Sequence, residues 1–185
     1  MGGHEVGPAD AGELTLESAL PNVKPLAPRL SHLDTRGRVR MVDVSAKRVT
    51  SRTAVARGRV FMHRDTLALI ARGQAKKGDV LATAHVAGVL AAKRTSEIIP
   101  LAHSIPIEGV DLAYSLDSAS SAVGLEARVR TRARTGVEME ALTAVSVAAL
   151  TLYDMLKAAD RGMVIGEVTL WEKRGGRSGV WRRRT

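Results

Sequence analysis

Asp154 and Lys157 stand three residues apart in "ALTLYDMLKAAD", a stretch with helical patterning, so their side chains meet on one helix face. Two chemistries are open to such a pair. It is an exposed ion pair of little energetic weight. Alternatively it is an acid/base pair in a cleft, with Lys157 holding an anion while Asp154 moves a proton. Partial burial by Leu150 and Met155 would shift both proton affinities. A second candidate precedes another helix start. In "AKKGDV", Lys76 and Lys77 either form a solvated corner or, with the helix N-terminus, an anion site suited to phosphate. Gly78 lets the backbone approach a ligand. No Walker loop occurs. Further along, "AAKRTSEIIPLAHSIPI" carries Lys93 and then His103, which sits between apolar residues in a loop and is either a packed histidine or a functional one. There is no G-x-S-x-G and no H-E-x-x-H, and the five histidines show no paired metal spacing, so no metal is expected.

These residues need elements to hold them. "RTAVARGRVFMH" alternates as a strand, after a short strand or ordered arm in "RVRMVDVSAK". "RDTLALIARGQ" predicts a short helix capped by Asp65 and stopped by Gly73. "KKGDVLATAHVAGVLAAKRTSEIIP" predicts a second helix, capped by Asp79 and ending before Pro100. "IPIEGVDLAYSLD" and "SAVGLEARVRTRART" read as a strand pair turning at Asp117 to Ser121. Leu125, Ala127, Val129 and Thr131 form the apolar face of the second strand, and Glu126, Arg128, Arg130 and Arg132 the charged one. A long helix follows over residues 135–160, and "GMVIGEVTLWEK" is a fourth strand. The order predicts an α+β, ferredoxin-like fold: a four-stranded antiparallel sheet with helices on one face. Such a fold serves many functions and decides none.

On the long helix, Leu142, Val145, Ala149, Leu152 and Leu156 share the face expected to meet the sheet. Thr143, Val147, Leu150, Asp154 and Lys157 share another, also apolar in its middle, which calls for a second helix or a second subunit. Thr135 and Glu138 fit a T-x-x-E capping box. Glu140 lies on the side of Asp154 but fourteen residues earlier, roughly 21 Å along the axis. One small ligand reaches both only if two chains supply them, as in antiparallel packing of this helix on its copy.

Composition narrows the class. The chain has 185 residues, 45 % hydrophobic, with no cysteine, which excludes disulfides and thiolate chemistry and fits a reducing compartment. No uninterrupted apolar run approaches the roughly 18 residues of a membrane span, and the N-terminal "MGGHEVGPADAGELTLESALP" lacks the charged start and apolar block of a signal peptide, so a cytoplasmic protein without membrane partners is expected. The first 37 residues read as a flexible leader, 38–173 as one catalytic domain and 174–185 as a basic tail. The net charge of +9 owes six to Lys173, Arg174, Arg177, Arg182, Arg183 and Arg184. Aromatics are 3 % of the chain, too few for a base-stacking platform, so no specific nucleic acid is expected. A non-catalytic nucleotide-binding or RNA-binding ferredoxin-like module is the alternative reading.

Four segments together, "MVDVSAK", "KGDVLATAHVAGVLAAKRTSEIIPLAH", "TGVEMEALTAVSVAALTLYDMLKA" and "MVIGEVTL", closely resemble the MoaC family of cyclic pyranopterin monophosphate synthases. The resemblance spans about Met41 to Gly179. It implies conversion of 3′,8-cyclo-7,8-dihydroguanosine 5′-triphosphate to cyclic pyranopterin monophosphate and pyrophosphate, in molybdenum cofactor biosynthesis, with no cofactor. It also implies a homohexamer, a trimer of dimers, with active sites at the dimer interface. Carried over residue by residue, Asp154 is the catalytic acid/base, with Lys157 and Lys77 catalytic beside it. Leu101, Ala102, His103, Met139 and Glu140 become substrate contacts, with Glu138 beside them and Lys93 and Arg52 as further pocket cations. Where the family often reads LCHP, this chain reads Leu101-Ala102-His103-Ser104, and the missing proline puts the aim of His103 in question.

Overall fold

The computed structural model describes residues 37–184. All but the last residue of the expected leader lie outside them. Chain order is β1 (Thr50–Phe61), α1 (Arg64–Ala71), α2 (Val80–Lys93), α3 (Thr95–Ile98), β2 (Gly109–Asp117), β3 (Ala122–Ala133), α4 (Glu138–Leu156), β4 (Val164–Arg174) and β5 (Trp181–Arg182). The strands form one antiparallel sheet in the order β2-β3-β1-β4-β5. The first four strands are the ferredoxin-like split unit expected from the element order. The fifth corrects the expected count: Trp181 and Arg182, in the segment read as a basic tail, pair with Lys173 and Glu172. The arm before β1 is irregular, with a turn at Ser45–Lys47 in place of a regular strand.

The alternation in β3 is realised directly. Leu125, Ala127, Val129 and Thr131 are all buried, while Arg128, Arg130 and Arg132 are exposed. On the other side of this core lies α4, with Val145, Ala149 and Leu152 fully buried and Leu156 nearly so. Burying a leucine of this kind stabilises the fold by about 1.5–3 kcal/mol. By length and composition α4 could cross a membrane, but half of it is buried inside the fold, as befits a core helix.

α2 covers the second side of α4. A Cβ at Gly88 would lie 3.1 Å from the Ala144 carbonyl oxygen and 2.9 Å from Leu112, so only glycine lets α2 come this close. With Gly88 beside Ala144 and Lys77 beside Asp154, the two helices run antiparallel. The start of α2 therefore sits at the end of α4.

Asp79 caps α2 as expected, its Oδ1 accepting from the Ala82 N–H at 2.9 Å. The helix breaks at Arg94, and Thr95–Ile98 forms a separate turn of helix before Pro100. Two expected caps do not form. At α1 the N-cap is His63, and its N–H is bound by Asp160 from across the chain at 2.9 Å, so Asp65 merely sits in the first turn. At α4 the N-cap is Val137 with no side-chain cap, which puts Thr135 two residues too early and Glu138 at the first helical position rather than the third, so no capping box closes.

Candidate active site

The antiparallel pairing of α2 and α4 brings Lys77 onto the last turn of α4. Its Nζ donates to Asp154 Oδ2 at 3.1 Å and to the Asp154 carbonyl at 2.9 Å. From one turn on, Lys157 Nζ reaches Asp154 Oδ1 at 2.7 Å. Each carboxylate oxygen thus has its own ammonium. The Lys157 hydrogen bond, then that of Lys77, holds the Asp154 carboxyl below the usual carboxylate range, and Asp154 in turn raises Lys157. All three side chains are about half exposed. The arrangement keeps Asp154 ionised while presenting two cations to an incoming anion. Once that anion draws the lysines away, the carboxylate becomes a stronger base.

The other end of α4 holds a different constellation. A cavity of about 290 Å³ is lined by Leu101, Ala102, His103, Glu138, Met139 and Glu140, with Lys47 and the Val42–Val44 arm closing it. His103 Nε2 lies 2.7 Å from the Val42 carbonyl oxygen. A carbonyl only accepts, so Nε2 carries the hydrogen and Nδ1 faces elsewhere. That bond holds the ring against the arm, with Ser104 next to it in the chain. Glu140 is 4 % exposed. Its carboxyl is pushed up to about 7, chiefly by burial and further by neighbouring Glu138. It exchanges a proton near neutrality, as a general acid or base requires.

Beside this cavity lies a larger one, of about 760 Å³, sharing Lys47, Thr135, Gly136 and Glu138 with it. Arg52 lines it, its guanidinium fixed by donating to the Ala133 and Arg134 carbonyls at 3.1 and 3.0 Å. Among the described residues no group of three or more His, Asp or Glu could hold a metal ion.

The MoaC family model matches residues 41–176. A cyclic pyranopterin monophosphate synthase of Thermomicrobium roseum is 60 % identical over 154 residues, covering 83 % of this chain and 93 % of that protein. One of Heliobacterium modesticaldum is 60 % identical over 150 residues, covering 81 % of this chain and 94 % of that protein. Another, of Chloroflexus aurantiacus, is 58 % identical over 154 residues. The chain belongs to the MoaC family.

The residues carried over from the MoaC family fall into two groups. Asp154, Lys157 and Lys77 meet at one end of α4. Leu101, Ala102, His103, Glu138, Met139 and Glu140 meet at the other, with Arg52 in the adjoining cavity. Within one chain the helix keeps them apart, as the fourteen-residue separation requires. Lys93 is exposed in the last turn of α2 and lines neither cavity. Sequence reasoning missed Lys47, Arg134 and Lys173 as cavity residues. They come from the arm, the end of β3 and β4, with no common spacing to betray them.

On the sheet's outer face, where an RNA-binding module would place its platform, several of the arginines are paired with carboxylates. Arg57 pairs with Glu126 at 2.7 Å, Arg59 with Asp117 at 2.6 Å and Arg130 with Asp111 at 2.7 Å. Arg57 also covers Trp171, 4.2 Å from the ring centroid, which removes that ring from stacking on a base.

Proposed function

We propose that the protein is a cyclic pyranopterin monophosphate synthase working through sites shared by two chains. It acts on a small molecule, 3′,8-cyclo-7,8-dihydroguanosine 5′-triphosphate, and yields cyclic pyranopterin monophosphate and pyrophosphate as a step of molybdenum cofactor biosynthesis. The observation that carries the two-chain reading is the division of charged groups along α4: a carboxylate held by two lysines at one end, a buried carboxylic acid in a cavity at the other. Between them the outer surface of α2 and α4 exposes Val86, Leu90 and Leu150, each about half accessible or more. An apolar strip flanked by complementary half-sites suits a second copy packed antiparallel, which would bring Asp154 of one chain to Glu140 of the other. Three such dimers make the hexamer implied by the family resemblance. A cytoplasmic setting accords with a chain that has no cysteine.

In this reading the triphosphate meets lysines and arginines, which offset its charge and that developing on the leaving group. A sugar hydroxyl oxygen attacks phosphorus. The new P–O bond closes the cyclic phosphate, the bond to the bridging oxygen breaks, and pyrophosphate departs. Ring opening and reclosure need repeated proton transfers, which Asp154 and Lys157 serve at one side and Glu140 at the other. Lys77 holds the anion and tunes Asp154. Incubation with the cyclised substrate should release pyrophosphate and form pterin product together. Release of neither, with substrate still bound, would make the protein a nucleotide-binding module instead.

A further inference from the structure

Asp160 is a buried carboxylate that the proposed chemistry does not use. It is 4 % exposed. Its Oδ2 accepts from the His63 N–H at 2.9 Å and from Thr66 Oγ1 at 3.3 Å, and its Oδ1 accepts from the Gly162 N–H at 2.9 Å. The His63 ring is exposed and stands 3.9 Å from Oδ1. Burial by itself would raise the carboxyl, but the His63 and Gly162 N–H groups outweigh it and hold the carboxyl below the usual range. A charge is thus kept where a charge is costly. Serine or aspartate at position 63 would cap α1 locally and without that burial. The cap comes instead from the turn after α4, and so it joins two segments distant in sequence.

Those two segments carry the acid/base group between them. Asp160 follows Lys157 by three positions, through a turn in which the Ala159 and Asp160 N–H groups both donate to the Leu156 carbonyl, at 2.8 and 3.1 Å. From the other side, α1 leads to Lys77. The N–H groups of Arg72, Gly73 and Gln74 bond back to the carbonyls of Ala68, Ile70 and Leu69, and Gly78 bonds back to Ala75. Gly73 and Gly78 turn there with φ of +63° and +91°, where a side chain would be strained. This connection is therefore a run of hydrogen-bonded turns that passes the placement of α1 on to Lys77. Among the described residues, every hydrogen bond from the start of α1 to the turn after α4 ends on the Asp160 carboxylate. Beside these bonds a cavity of about 290 Å³ separates Asp65, Arg72 and Gln74 from Ala159.

We infer that Asp160 is a positioning residue: by tying the start of α1 to the turn after α4, it sets where Lys77 stands against Asp154 and Lys157. It touches none of the three side chains and acts through the backbone of both segments. The inference rests on the synthase reading for what the group does, and on geometry alone for the contact that Asp160 sets.

Lysine acetylation read by tandem mass spectrometry tests the contact without substrate. Lys77 donates to Asp154 twice, while the exposed Lys76 beside it serves as the internal reference. In the full-length protein Asp160→Asn should raise the reactivity of Lys77 relative to Lys76 by about two- to fivefold, the weight of an exposed ion pair. Turnover per folded molecule should fall by about tenfold or more, as a shifted catalytic group implies. Thr66→Val, which keeps the side chain's shape and removes one bond to Asp160, should move both readings the same way by less, and it decides the matter if Asp160→Asn does not fold. Val129→Ala, at a fully buried position paired with Ala54 near the far end of β1, should lower the melting temperature and move neither. An unchanged lysine ratio and turnover in folded Asp160→Asn would overturn the inference and leave Asp160 a cap only, as would the same changes in Val129→Ala. A wild type that forms no pterin product would overturn the synthase reading, while the lysine ratio would still decide for or against the positioning role.

Discussion

Replacing Glu140 by glutamine keeps the shape of the side chain and removes its titration. In the folded protein the carboxyl is pushed from an ordinary 4.5 up to about 7 by burial and by Glu138. The folded state thus holds this proton more tightly than the unfolded chain. Glu140 contributes its stability in full below about pH 4.5 and loses it as pH rises through about 7. Each tenfold change in proton affinity is worth about 1.36 kcal/mol, so the loss across this window amounts to roughly 3 kcal/mol. Glutamine pays no such penalty at high pH. The stability of Glu140→Gln relative to wild type should therefore rise by roughly 2.5 kcal/mol between pH 5 and pH 8. For a domain of this size that is about 10 °C in melting temperature. Denaturant unfolding of both proteins at each pH reads the difference directly, and the shared histidines cancel in the comparison. Parallel stability profiles from pH 5 to pH 8 would refute a buried, proton-holding Glu140.

Other consequences follow from the same geometry. Asp154→Asn should keep substrate binding but lower turnover by about a hundredfold or more, as loss of a general acid or base does; lost binding with normal residual turnover would contradict that role. Lys77→Ala should weaken both binding and turnover and should raise the Asp154 carboxyl toward its ordinary range, read as a shifted acidic limb of the pH–rate profile; unchanged kinetics would remove Lys77 from the site. Leu150→Glu on the exposed apolar strip should leave the circular dichroism of the fold intact while dissociating the assembly and abolishing turnover, as seen by sedimentation and product formation. Leu152→Ala, at a fully buried position of α4, should cost about 2–5 kcal/mol of stability.

What the sequence carried was the local pattern. The period-two run of β3 and the apolar face of α4 follow from side-chain geometry alone, as does the Asp79 cap. What it hid were contacts between distant segments. Asp65 stands where a cap belongs, but the carboxylate that binds the start of α1 is Asp160, 97 positions from His63. The hairpin after β4 looks like a solvated tail because glycines and arginines dominate it, yet Glu172 neutralises two of those arginines and docks it on the sheet. The site shows the same division. Asp154 and Lys157 are neighbours on one helix and legible by spacing, whereas Lys77 joins them only through the packing of α2 on α4. The separation of Asp154 from Glu140 was legible too, because helical rise fixes it.

The claim that one site needs two chains is tested most directly by mixing two defective proteins. Asp154→Asn and Glu140→Ala, each inactive alone, would be dissociated together and reassembled. A mixed dimer then contains one site built from the intact Asp154 of one chain and the intact Glu140 of the other, and random pairing should restore about a quarter of wild-type pterin formation. Activity no higher than that of either variant alone, in assemblies shown to be mixed, would contradict the shared site.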